Sequence, residues 1–248
     1  LHISSTAATI TAVLFALGGH LTGKIEQVNQ LQALAWMPWI LLGTHLQITA
    51  SSARERTRAG LTFAAVLALQ LLAGHTQTTF ITLASAMLWW LTSMLATSRK
   101  TNRISAIRSS IPMLTFTILG VSIAGAQLIP TLELARYSLR SSGLSLTDAL
   151  SFSLNPILLG RTLLPSFTRP IFTEFVGYIG ITGLLLAITG TTLSNKSGRN
   201  FALPAIALSC CGIFLALGAY NPIYWALAKF APGFNLFRAP VRWLALWA

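Results

Sequence analysis

The stretch FNLFRAPVRW, 234–243, carries two arginines, Arg238 and Arg242, with Pro240 between them. On a helix that already includes Phe237, positions i and i+4 lie one turn apart on one face, about 6 Å along the axis. Two guanidinium forks at that spacing can hold both phosphates of a diphosphate, or one phosphate and a carboxylate. Pro240 then falls in the first turn, where a missing N–H is tolerated, and the helix N-terminus adds donors for an anion. Two other readings stand beside this one. Arginines at the mouth of an apolar segment also snorkel to lipid phosphates, and they also pair internally with carboxylates.

Other polar residues carry less specific signals. His75 and Gln77 form a polar hairpin tip, or His75 binds a substrate hydroxyl or phosphate, or relays a proton. His20 follows Gly18 and Gly19, but no spacing joins His20, His75 and a glutamate into a metal site. Glu133 and Arg136 read as a helix-surface pair, and Glu174 as a carboxylate favouring the dipole of the helix that follows it. Gly177, Gly180 and Gly183 read as a small-residue face for helix packing. Cys210 and Cys211 are adjacent in an apolar run and read as small packing residues. No P-loop, dinucleotide fingerprint, zincin motif or nucleophile elbow is present. No cofactor is evident, and a divalent metal has no residue pattern to support it.

These residues are set in a chain of 248 residues that is 54% apolar and only 9% charged, with a mean hydropathy of +0.68. Soluble domains carry about 25% charged residues, so the composition predicts an all-α polytopic membrane bundle, 1–248, as a single domain. The net charge of +12 does not imply nucleic acid, because too little polar surface remains to carry it. Seven crossings are expected at 3–19, 31–49, 59–74, 77–96, 110–128, 175–193 and 201–219, with an eighth starting near Leu236. Within 59–96 the apolar run is broken only by AGHTQ, which predicts a tight helical hairpin. The chain starts at Leu1 and ends inside an expected span, so it reads as a fragment.

Nine of the seventeen basic residues fall in three short segments: Arg54, Arg56 and Arg58; Arg99, Lys100, Arg103 and Arg108; Lys196 and Arg199. Basic loops are retained on the cytoplasmic side. Glu55 then lies inside among arginines as a surface ion pair, whereas Glu26, Glu133, Asp148 and Glu174 fall outside. The outer segment 129–174 is too long for a plain connector. A helix from Pro130 to a stop near Gly143 puts Leu132, Ala135 and Leu139 on one face and Glu133, Arg136, Tyr137 and Arg140 on the other, as in a helix lying in the membrane interface.

Five stretches, taken in order, resemble the YfhO family of bacterial multi-pass membrane proteins: GGHLTGKIEQVNQLQALAWMPWILL, LLAGHTQTTF, AQLIPTLELARYSLRSSGLS, EFVGYIGITGLLLA and LALGAYNPIYWALAKFAPGFNLFRAPVRW. The series, rather than any one motif, carries the resemblance. It implies a GT-C-type glycosyltransferase of the bacterial cytoplasmic membrane, which moves a sugar from a polyprenyl-phosphate carrier onto a cell-envelope polymer on the outer face. Such an enzyme needs cations for the carrier phosphate, for which Arg238, Arg242, Arg136 and Arg140 are suited, with Gln77 as a further polar contact. It also needs a base for the acceptor hydroxyl. In the resembled class the key acidic residue lies in a first external loop, expected before Leu1, which leaves Glu133, Glu174 and His75 as candidates within the chain. A transporter or flippase of a lipid-linked or anionic substrate, or a non-catalytic scaffold of envelope assembly, is the alternative.

Overall fold

The computed structural model describes residues 4–96, 100–138, 143–165, 171–193 and 196–248. Arg140, Arg99 and Arg169 lie outside the described residues. Among these the chain is helical with no strand: α1 Ser5–Leu17, α2 Gly19–Thr22, α3 Val28–Thr49, α4 Ala53–Leu72, α5 Thr76–Ala96, α6 Lys100–Ile123, α7 Gly125–Arg136, α8 Leu146–Ala149, α9 Leu159–Leu163, α10 Ile181–Thr192, α11 Lys196–Ala216 and α12 Pro222–Phe230. The chain divides into two compact units. One comprises Leu1–Val28, Leu144–Gly198 and Ser209–Ala248; the other comprises Asn29–Gly143 and Arg199–Leu208.

The second unit is built on the expected hairpin. α4 and α5 are joined by a turn at Ala73–His75, with Gly74 at φ 77°. Ile40, Phe63, Val66, Leu67 and Ala86 form its core, with Trp36, Leu83, Met113 and Phe116 packed against them. Gln70 ties the helices together inside this core, donating from Nε2 to the Ala33 carbonyl at 2.8 Å and to Thr82 Oγ1 at 2.9 Å. The start of α4 is closed by two reciprocal bonds. Ser52 Oγ accepts from the Glu55 N–H at 3.2 Å, and Glu55 Oε2 accepts from the Ser51 N–H at 2.9 Å. Glu55 is therefore a helix cap and not the arginine partner expected of it. Arg56 instead donates to the carbonyls of Gln47 and Ala50, at the end of α3.

Three expectations about the spans are corrected. The helix expected from Pro130 starts earlier, at Gly125, after a 77° bend from α6, and ends at Arg136. Residues 129–136 are all exposed, so Leu132 and Ala135 pack on no other part of the chain. The sixth crossing shrinks to α10, whose 12 residues give about 18 Å of helix. Residues 176–180 are not helical, and Gly180 stands at φ 86°, so Gly177 and Gly180 share no helical face with Gly183. The eighth crossing does not begin at Leu236 as an α-helix; two 3₁₀ turns, Phe234–Leu236 and Pro240–Leu246, flank an extended Phe237.

Among the described residues, two helical segments are long and apolar enough to cross a membrane, Ser5–Thr22 and Thr76–Leu95. A third is added if Ser110–Ile123 and Gly125–Arg136 are one broken span. The apolar helices Ile181–Thr192 and Phe201–Ala216 are shorter. Among the described residues, two to three such segments stand where seven full crossings were expected from counting apolar residues. The helices Val28–Thr49 and Ala53–Leu72 are long enough and unbroken but are not apolar enough along their length.

Candidate functional site

Glu174 is the centre of the first unit's polar chemistry. It sits in the 3₁₀ turn Thr173–Phe175, and its side chain is 4% exposed. Lys24 Nζ donates to its Oε2 at 2.6 Å, Gln27 Nε2 to its Oε1 at 3.0 Å and Arg242 Nη2 to its Oε1 at 2.7 Å. Arg242 Nε reaches both oxygens at 3.3 Å. Lys24 is wholly buried, whereas the Arg242 side chain is 20% exposed.

Close backbone approach brings these groups together. In GGHLTGK the Gly19 N–H donates to the Tyr178 carbonyl at 2.7 Å. A Cβ on Gly19 would stand 2.9 Å from that oxygen, and one on Gly23 would stand 3.2 Å from the Thr173 carbonyl. Only glycines let the α2 turn lie this near residues 173–178, and that turn carries His20 and leads directly into Lys24. From the other direction, Trp247 Nε1 donates to the Gly177 carbonyl at 2.8 Å and sets the C-terminal segment that bears Arg242.

Two cations face one carboxylate, so the cluster carries a net positive charge in a poorly solvated place. Burial alone would push the Glu174 carboxyl up. The Arg242 hydrogen bonds and the Lys24 charge overcome this and hold it down at about 2. Burial also pulls Lys24 below the usual lysine range, against the Glu174 charge. A carboxylate held this low, with both oxygens engaged, is unsuited to take a proton near neutral pH. Glu174 is thus a holder of cations, and the helix-dipole role expected of it gives way to ion pairing.

A pH prediction arises here. The folded carboxyl lies below its ordinary value of 4.5. Ionised Glu174 therefore contributes stability that is fully present above that ordinary value and is lost as pH falls through the folded one. Thermal melts should decline from about pH 5 toward pH 2. The decline should be shallower in Glu174→Gln; identical slopes would rule out the assignment.

His20 lies beside the cluster. Its Nδ1 is 2.9 Å from the Val176 carbonyl, which can only accept, so Nδ1 bears the proton and Nε2 keeps its lone pair. Nε2 is buried with no hydrogen-bond partner.

The other expected residues fall as follows. Arg238 and Arg242 do not share a helical face. Phe237 is extended and Ala239 is at φ 63°, so no helix runs through them; the residue before a proline is disfavoured in the α region, and Ala239 precedes Pro240. Arg238 is exposed, its Cζ 6.0 Å from the centre of the Phe152 ring. Arg136 and Glu133 are exposed on α7, and no ion pair joins them. His75 caps α5, its Nδ1 accepting from the Thr78 N–H at 3.2 Å and facing Thr78 Oγ1 at 2.7 Å. Gln77 is buried in the first turn of that helix. Arg238, Arg242 and Glu174 belong to the first unit; Arg136, Glu133, His75 and Gln77 belong to the second.

Lys24 and Gln27 were not singled out by sequence. The available signal was GGHLTGK, in which three glycines precede a lysine at an expected helix end. Among the described residues no group of three or more His, Cys, Asp or Glu converges as a metal site. No family model, no curated protein and no solved structure matches the chain.

Proposed function

We propose that this chain is a YfhO-like, GT-C-type membrane glycosyltransferase that takes a sugar from a polyprenyl-phosphate carrier at the outer face of the bacterial cytoplasmic membrane and passes it to a cell-envelope polymer. The observation that carries the reading is the Lys24–Glu174–Arg242 cluster, with two cations on one carboxylate and only Arg242 reaching solvent. An anion arriving at Arg242 meets excess positive charge in a low-dielectric setting, which is what a carrier phosphate leaving with negative charge requires. Glu174 holds the cations in place, and the base for the acceptor hydroxyl is a different group. The ordered series of motifs that resembles the family supports the same reading.

The test uses the purified protein in lipid nanodiscs, a polyprenyl-phosphate hexose as donor and a hydroxyl-bearing cell-envelope polymer as acceptor. Transfer is expected with the native chain. Arg242→Ala, checked for folding by size exclusion, should lower the rate by about 10²-fold or more, as removal of a charge-stabilising donor does. Absence of transfer by the native chain, or an unchanged rate in the variant, would overturn the reading.

A transporter remains the second reading because of one observation in the second unit. Gln30, Gln47 and Gln70 are each at most 2% exposed, and each leaves its amide oxygen without a partner. Buried polar groups of this kind line substrate paths in transport proteins. Loss of phospholipid-linked sugar flipping in Gln70→Leu, with no transfer activity in the native chain, would favour it.

A further inference from the structure

Two residues other than glycine have positive φ among the described residues, Phe152 at 58° and Ala239 at 63°. They belong to one backbone pairing. The Ala239 N–H donates to the Ser151 carbonyl at 3.1 Å, and the Val241 N–H to the Phe152 carbonyl at 3.4 Å. A bulky side chain in the left-handed region is unfavourable and persists only where the surroundings hold it. Here the surroundings hold Phe152 outward. Its side chain is exposed, and it stacks on Phe172, also exposed, with ring centres 5.8 Å apart and 29° between planes. Phe172 in turn meets Phe175 edge to face at 6.0 Å. The Arg238 guanidinium lies 6.0 Å from the centre of the Phe152 ring.

Two of these chain segments also help to build the ion cluster. Phe172 is two residues before Glu174, and Val241, bonded to Phe152, immediately precedes Arg242. A strained backbone thus displays aromatic faces and a guanidinium next to the cationic cluster. Lipid chains need no guanidinium and no stacked geometry. A pyranose does use both: its C–H face is weakly positive and packs on the negative face of an aromatic ring, while its hydroxyls and phosphate take guanidinium donors.

We infer that Phe152, Phe172 and Arg238 form a platform for the sugar ring of a glycosyl phosphate whose phosphate is held at Arg242. This rests on the carrier-phosphate reading above and adds to it where the sugar lies. Phe152 is strained so that the ring faces the ligand, and the aromatic pair distinguishes a phosphosugar from bare phosphate.

The test is isothermal titration of the full chain in nanodiscs with glucose 1-phosphate, inorganic phosphate and octyl phosphate. Glucose 1-phosphate should bind about tenfold more tightly than inorganic phosphate, the share that one aromatic stacking contact supplies. Phe152→Leu and Phe172→Leu should each remove most of that preference while inorganic phosphate binding stays within about twofold. Phe172→Trp should keep the preference. Phe152→Gly should raise the melting temperature, by relieving the left-handed strain, and still lose the preference. An unchanged preference in the Leu variants overturns the platform while leaving the phosphate site standing. Octyl phosphate binding as tightly as glucose 1-phosphate, with both equally sensitive to Phe→Leu, overturns it in favour of a lipid-tail contact. If inorganic phosphate itself fails to bind, the carrier-phosphate reading fails and the platform with it.

Discussion

Glutamine at position 174 is expected to lower the melting temperature by roughly 10 °C, because it leaves Lys24 and Arg242 facing each other with no counter-charge. Removing one partner of a buried pair costs about 3–5 kcal/mol, since the remaining charge is neither solvated nor compensated. For a chain of this size each kcal/mol corresponds to about 2–4 °C. The neighbouring substitutions set the sign. Lys24→Met leaves Glu174 with Arg242, which donates from both Nε and Nη2, and should cost less than Glu174→Gln. The double variant Lys24→Met/Glu174→Gln should be more stable than Glu174→Gln alone, because it buries one uncompensated cation instead of two. Glu133→Gln, on the exposed α7, should change stability by no more than about 0.5 kcal/mol. The measurement is a set of thermal melts in one detergent at pH 7. A melting temperature for Glu174→Gln matching the native chain, or no rescue by Lys24→Met, would remove the cluster as the organising feature of this unit.

Much of the helical framework was legible because helix formation is a local matter. The polar AGHTQ interruption placed the hairpin, and the apolar windows found α3, α4 and α5 to within a few residues at their C-terminal ends. What failed was the step from apolar length to a continuous span. Gly180 and Ala124 each interrupt a run that composition alone treats as unbroken: a left-handed residue and a 77° bend. The arginine pair shows the same failure at higher resolution. Its i, i+4 spacing assumed a helix through Ala239, yet the proline that follows Ala239 argues against one, and that local rule outweighed the apolar pattern.

The site itself was partly hidden for a different reason. Arg242 and Glu174 were each singled out, but their partnership spans 68 residues and that of Lys24 with Glu174 spans 150. Periodicity reports one element at a time and carries no information about which loop end meets which. The chain has only five acidic residues, so a carboxylate beside a turn had few competitors for the cations. Scarcity of acids was the physical clue that a specific arginine and a specific lysine converge on one of them.

The second large effect is expected from a residue that carries no functional group. Gly19→Val places a Cβ 2.9 Å from the Tyr178 carbonyl oxygen and 3.1 Å from Val176 Cγ1. The oxygen belongs to the backbone and cannot rotate away, so either α2 or the non-helical segment 176–178 must move. Overpacking of this kind costs about 1–3 kcal/mol by itself. The displacement also separates Lys24 from Glu174 and His20 from the Val176 carbonyl, because both side chains are aimed by the same turn. The total should therefore approach that of Glu174→Gln. It should also be non-additive with it: in a Glu174→Gln background, where the ion cluster is already broken, Gly19→Val should cost only its steric share. Gly125→Ala is the matched control. A Cβ there meets nothing within 4 Å, and alanine improves helix propensity by about 1 kcal/mol over glycine, so stability should hold or rise. Full additivity of Gly19→Val with Glu174→Gln in thermal melts would mean that the glycine turn and the carboxylate act independently, and the close approach of α2 would no longer explain how the cations reach Glu174.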